Sequence, residues 1–269
     1  MNLFEELEAA AARGAAGLSG DARAAVSAAL AGLLRPGGGF AGLDGRADAY
    51  YSFFAWLGLR ALGAAYDRDG LCSFMRASLR APRPVDALCA RVLLAGEGRG
   101  ARLAWLACGA ALVRGDSRGV YGAFLAALAT GSVPRWAARL AWLRQRRLLA
   151  PDAAGRLPTP RLAAGALLAS LAEARADVLL SALESRRCEG GGFASAANAP
   201  ADLLATASAR FALGVARRGR AEGGARRGAD LAFIEACWLE DGLFGASPQA
   251  ERGDSEHTFY GLLALGTCR

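Results

Sequence analysis

Apolar positions in this chain fall in Ala- and Leu-rich runs broken by short glycine- and proline-rich segments, the pattern of helices joined by turns. Residues 24–34 read as one helix, stopped at Leu33-Leu34-Arg35-Pro36 because proline lacks an amide hydrogen. Gly37-Gly38-Gly39 then permit the positive φ values of a tight reversal. Asp48 is placed to cap the following helix by accepting an amide hydrogen bond, and Ser52, four residues on, shares its face. One unit is therefore a helical hairpin.

The unit recurs. Gly37-Gly38-Gly39-Phe40 leads to Asp48 and Ser52, Gly190-Gly191-Gly192-Phe193 to Asp202 and Thr206, and Asp241-Gly242-Leu243-Phe244 to Asp254 and Thr258. Apolar runs then end at Leu62, Leu213 and Leu265. The three phenylalanines are 153 and 51 residues apart, and 153 is three times 51, which leaves room for two degenerate units between the first copy and the second. Periods near 50 residues mark stacked supersecondary units. The expectation is an all-α chain with a ~51-residue repeat, forming one domain over residues 1–269, with loops at residues 151–160 and 219–228.

Composition agrees with helices: 1 Ile, 8 Val and 5 Thr are too few β-branched residues for a large sheet. The net charge of +7 comes entirely from arginine, since the chain has no lysine. Clusters such as Arg144-Gln145-Arg146-Arg147 and Arg217-Arg218-Gly219-Arg220 read as solvated helix ends, and no nucleic-acid motif accompanies them. The longest uncharged apolar stretches, such as residues 103–113, are too short for a bilayer that needs about 20 residues, so a membrane span is not expected. The acidic start, Met1-Asn2-Leu3-Phe4-Glu5-Glu6, is unlike a signal peptide, which makes the cytoplasm the default location. Cys72, Cys89, Cys108, Cys188, Cys237 and Cys268 contain no Cys-x-x-Cys pair and read as reduced, small core residues.

Two short matches are set aside. Gly37, Gly39 and Gly42 have dinucleotide-fingerprint spacing but follow a helix instead of a strand. Gly115-Asp116-Ser117-Arg118-Gly119 has the nucleophile-elbow pattern, also after a helix-like run.

The C-terminal run Asp254-Ser255-Glu256-His257-Thr258-Phe259-Tyr260-Gly261-Leu262 holds the only histidine and resembles the last zinc-ligand motif of protein prenyltransferase β subunits. With the repeat and the Gly-Gly-Phe turns, the chain resembles the prenyltransferase and squalene-cyclase superfamily. The cyclase acid motif Asp-x-Asp-Asp is missing from it. The resemblance implies an α/α toroid, a closed ring of about five to six helical hairpins around an apolar cavity. It also implies transfer of an isoprenoid from its diphosphate to a cysteine thiol, zinc as cofactor, and a helical α-type subunit as partner.

Residue by residue the match is uneven. Asn198 and Asp202 fall on the family's Asn and its zinc-binding Asp, and His257 on its zinc-binding His. Leu204 stands at the zinc-binding Cys, and Ala196 and Ala199 stand at a diphosphate-binding Arg and a Lys. The resemblance thus implies an incomplete metal set, Asp202 and His257, and a catalytic zinc normally keeps three protein ligands. Helix N-termini facing the cavity are expected to supply part of the charge a diphosphate needs. In the first unit Arg46, Asp48, Tyr51, Ser52 and Phe53 follow the family motif, with Tyr50 at the Cys position, and in a closed ring Asp48 would approach His257. Arg46, Tyr50, Tyr51, Phe54, Trp56 and Tyr260 are the candidates for substrate contact. Two readings stay open: a prenyltransferase, and a non-catalytic toroid that binds an apolar ligand or a partner protein.

Overall fold

A computed structural model describes residues 2–80, 83–98, 135–145, 154–216 and 224–269. The structure is mostly helical. Among the described residues are α1 (Leu3–Ala16), α2 (Gly20–Gly32), α3 (Ala49–Leu62), α4 (Arg68–Ser78), α5 (Pro84–Gly96), α6 (Arg135–Gln145), α7 (Thr159–Leu171), α8 (Asp177–Glu184), α9 (Leu203–Ala216), α10 (Gly224–Ala236) and α11 (Ser255–Cys268). Strands β1 (Phe193–Ala194) and β2 (Ala201–Asp202) pair antiparallel in the turn before α9. Among these residues no helix is long and apolar enough to cross a membrane.

Burial sorts the helices into two layers. In α3, α7, α9 and α11 most residues are buried, whereas α2, α4, α8 and α10 bury a single stripe such as Ala22, Val26 and Leu30 of α2. The inner helices touch in the order α5, α3, α11, α9, α7, α6. Outer helix α2 lies on α3, α4 on α3 and α5, α8 on α7 and α9, and α10 on α11.

The repeat is a hydrogen-bonded device. Leu33, Arg186 and Cys237 carbonyls accept from Ala41, Ala194 and Gly245 N–H groups at 2.8, 2.8 and 2.9 Å. Ser52, Thr206 and Thr258, all fully buried, accept from the turn amides of Phe40, Phe193 and Phe244 at 2.8, 2.9 and 3.0 Å. The hydroxyl four residues after each Asp therefore locks the glycine turn onto the first turn of the inner helix. Gly38, Gly191 and Gly242 occupy one position of the device, with φ of 88°, 92° and 87°. A Cβ there would strike backbone at Gly70 of α4, Ala229 of α10 and Ala25 of α2 respectively. Each turn thus abuts the next outer helix in the chain, and the last turn abuts α2 of the first hairpin.

Helix α1 lies against α11 and α3. Its Gly14 and Gly266 of α11 bring two backbones together: a Cβ on Gly14 would lie 1.9 Å from the Leu262 oxygen, and one on Gly266 1.7 Å from the Ala10 oxygen.

Two expectations need correction. Among the described residues inner helices begin at Ala49, Pro84, Arg135, Thr159, Leu203 and Ser255, so their spacing is uneven and departs from a constant 51-residue period. Residues 224–228, expected as loop, begin α10, where hairpin packing supplies what their glycines lack in propensity. Residues 103–113 and 115–119, Cys108, Arg146, Arg147 and residues 217–220 lie outside the described residues. Of the remaining cysteines, four are buried and Cys188 is half-buried, and all five are free thiols.

Candidate functional site

Where α3, α7, α9 and α11 converge they enclose an apolar cavity. Phe53, Phe54 and Leu57 of α3 face Phe259, Tyr260 and Leu263 of α11, with Ala163, Ala164 and Leu167 of α7 and Ser208 and Phe211 of α9 opposite. Leu7 of α1 reaches into the same space. The rings form a continuous wall: Phe54 lies 5.8 Å from Phe259 and 5.3 Å from Tyr260. The cavity volume is about 30 Å³, room for about two waters.

One helical turn toward the N-termini, the wall becomes polar. Tyr50, whose ring packs edge-on against Phe54 at 4.9 Å, donates its hydroxyl to Glu256 Oε1 at 2.5 Å. Tyr50 and Phe54, like Glu256 and Tyr260, are four residues apart and stack along one helix face. Ser255 Oγ donates to the Tyr51 carbonyl, so α3 and α11 are stitched together at this end. Burial holds Glu256 above the usual carboxylate range, against the Tyr50 hydrogen bond. Tyr51 is pushed up to about 12, by burial first and then by the charges of Asp254, Glu256 and Asp48.

Three inner helices, α3, α9 and α11, are closed at the N-terminus by an aspartate, whereas α5 and α7 have no side-chain cap. Asp48 Oδ1 accepts from the Tyr50 and Tyr51 amides, Asp202 Oδ1 from Ala205, and Asp254 Oδ1 from His257. At these three ends the amides already have carboxylate acceptors instead of being open to an anion. Arg83, at the N-cap of α5, pairs with Asp48 and with Asp86, the latter at 2.8 Å.

His257 Nδ1 lies 2.8 Å from Asp254 Oδ2. Burial lowers its basicity, but the hydrogen bond and charge of Asp254, with Glu256 and Asp202 behind, leave it above its ordinary value. Asp202 is thus within electrostatic reach of His257. A zinc site asks for a third ligand, Leu204 stands where the sulfur would be, and among the described residues no group of three His, Cys, Asp or Glu side chains is placed to hold a metal. Among the described residues the donor set does not fit zinc.

Among the residues proposed for substrate contact, Phe54 and Tyr260 line the cavity and Tyr50 and Tyr51 stand at its polar end. Trp56 does not face it: the indole is fully buried elsewhere, donating to Glu97 Oε1 at 2.7 Å. Arg46 is exposed on the turn before α3. Sequence reasoning passed over Glu256, Arg83 and Asp86. Glu256 was legible from its spacing to Tyr260, whereas Arg83 and Asp86 sit in a hairpin whose turn lacks the repeat signature. Neither the protein-family models nor the curated proteins contain a match to this chain.

Proposed function

We propose that this chain is a closed ring of helical hairpins, an α/α toroid, that binds an apolar, isoprenoid-like chain at its centre and performs no zinc-dependent thiol transfer. The observation that carries the reading is the aromatic-walled cavity where four inner helices and α1 meet. Ring closure is supported by Gly242 against Ala25, which repeats between last and first hairpins the contact that Gly38 makes with Gly70. Against transfer stand the lack of a third ligand among the described residues and the carboxylate caps on α3, α9 and α11, since a departing diphosphate needs positive charge.

A site for a small organic molecule has a volume of roughly 300–1,000 Å³, so a ligand enters by moving side chains, and Leu7 is the one that α1 contributes. Replacing Leu7 by Ala means that roughly 1.5–3 kcal/mol of leucine burial need not be surrendered on binding. Farnesol should therefore bind Leu7→Ala about tenfold or more tighter than wild type by calorimetry. If farnesol binds neither protein while both keep their helical circular dichroism, the reading is wrong.

A further inference from the structure

The polar end of the cavity specifies the other end of the ligand, an inference that rests on the cavity reading above. Around Tyr51 and Cys89, helices α3, α5 and α11 present Asp48, Asp86, Asp254 and Glu256. The cations beside them are already engaged, Arg83 by Asp48 and Asp86 and His257 by Asp254. A diphosphate or carboxylate arriving here would meet like charge, and at α3 and α11 amides that already have carboxylate acceptors.

Asp86 supplies an independent observation. Its side chain is 7% exposed, and one oxygen accepts from Arg83 Nε at 2.8 Å. The other, Oδ1, is cut off from solvent and has no hydrogen-bond partner among the described residues. Because Arg83 ties this carboxylate to Asp48, the orphan oxygen sits inside the acidic cluster. Buried acceptors without donors are rare enough to demand an explanation, and a ligand N–H is the donor that would satisfy this one. Arg83 is itself an example of the chemistry: its side chain is 57% exposed, yet it folds onto two carboxylates.

The geometry points to an amphipathic ligand whose head is a protonated amine, seated against Asp86 and Asp48 with Glu256 close by, and whose apolar tail occupies the cavity. The protonation balance agrees. Burial pushes Asp86 above the usual carboxylate range, with the Asp48 charge adding to it, against the opposing pull of Arg83. The buried Cys89 thiol is pushed up by burial and then by Asp86, Asp48 and Glu256. Burial is the first cause of both shifts, and an ammonium placed here would favour the charged carboxylate. The preference also runs against the net charge of +7 of the whole chain, which by itself would attract anions.

The test compares decylammonium, decanol and decyl phosphate at pH 7, below their micellar concentrations, on wild type and Leu7→Ala by calorimetry. Decylammonium should bind about tenfold or more tighter than decanol, with decyl phosphate weakest, because charge-assisted hydrogen bonds are the stronger kind. Asp86→Asn should narrow the ammonium-over-decanol ratio to about threefold or less. Arg83→Ala changes an exposed side chain and uncovers both carboxylates, so it should tighten decylammonium about threefold or more. Decanol binding as well as decylammonium would overturn the head-group assignment and leave the cavity reading standing, as would tightest binding of decyl phosphate. A preference unmoved by Asp86→Asn, or weakened in Arg83→Ala, would also overturn the assignment. No binding of any decyl compound to either protein would overturn both.

Discussion

Replacing Thr258 by valine exchanges a hydroxyl for a methyl at a side chain with no solvent exposure. Two hydrogen bonds go with it: the one Thr258 Oγ1 accepts from the Phe244 amide at 3.0 Å, and the one it donates to the Asp254 carbonyl at 2.6 Å. The two losses differ in cost. The Asp254 carbonyl still accepts from the Thr258 amide at 3.0 Å, so it keeps a partner. The Phe244 amide faces the buried side of the turn and keeps none. An orphaned buried donor costs about 1–3 kcal/mol and a lost satisfied bond about 0.5–1.5 kcal/mol, so Thr258→Val should lose about 2–3 kcal/mol.

Serine separates the hydroxyl from the volume. Thr258→Ser keeps both bonds and removes one buried methyl, worth about 0.8 kcal/mol before any cavity term. Urea unfolding followed at 222 nm should therefore rank wild type, Ser and Val in that order, although Val is the closer match in shape. In a chain of this size about 2–4 °C is lost per kcal/mol, so Val should melt roughly 5–8 °C below wild type. A serine variant as destabilised as the valine one would show that the site needs bulk, not a hydroxyl, and would refute the account of the repeat. Thr206→Val should behave as Thr258→Val does, since Thr206 makes the same pair of bonds to the Phe193 amide and the Asp202 carbonyl.

Glycine substitutions in helices should change sign with location. Gly266→Ala puts a Cβ 1.7 Å from the Ala10 backbone oxygen and must part α1 from α11, costing about 1–3 kcal/mol or more. Gly228→Ala in α10 meets nothing within 4 Å and should stabilise by about 0.5–1 kcal/mol, so equal effects in thermal melts would refute the close-approach reading. Stability should also fall as pH rises from 6 to 8. His257 is raised above its ordinary 6.5, so its contribution is full below that value and is lost as pH climbs through the folded-state value. Glu256, raised above 4.5, has the same sign, while Glu97, lowered below 4.5, acts only under more acid conditions. Asp254→Asn keeps a helix cap but removes the charge, so its melting point should be flatter over this range, and an unchanged slope would show that His257 is not the responsible group.

The hairpins at residues 33–62, 186–213 and 237–265 were legible because each carries a local device, glycine turn, aspartate cap and hydroxyl, whose parts sit at fixed offsets. The same logic identified Asp48, Asp202 and Asp254 as caps. The hairpin of α4 and α5 was not legible, because its connection is short and Pro84 opens α5 where other units have an Asp cap. Trp56 was misplaced for a different reason. Periodicity puts an aromatic on an inner helix but does not say which neighbour it meets, and Glu97, the acceptor that holds the indole, is 41 residues away in sequence. Asp230 was equally invisible: α10 looks like a polar surface helix, yet this residue is fully buried and binds Arg187, Arg210 and the Gly192 amide.

These buried carboxylates can be ranked by how well they are satisfied. Glu97 accepts from Trp56 and from Tyr66 at 2.6 Å and pairs with Arg68, and although burial opposes it, these partners hold it below the usual range. Asp230 is bound by two guanidinium groups and an amide. Buried networks of this kind fix how helices pack. Asp86 and Glu256 go the other way, held high by burial, and Asp86 keeps an oxygen with no hydrogen-bond partner among the described residues. Both stand in the first turn of an inner helix, Glu256 on α11 bonded to Tyr50 and Asp86 on α5 bonded to Arg83. Among the described residues the buried carboxylates Glu97, Asp230 and Asp254 have donors while Asp86 keeps one oxygen without one, and that contrast supports giving the polar end of the cavity to a ligand instead of to the protein's own packing.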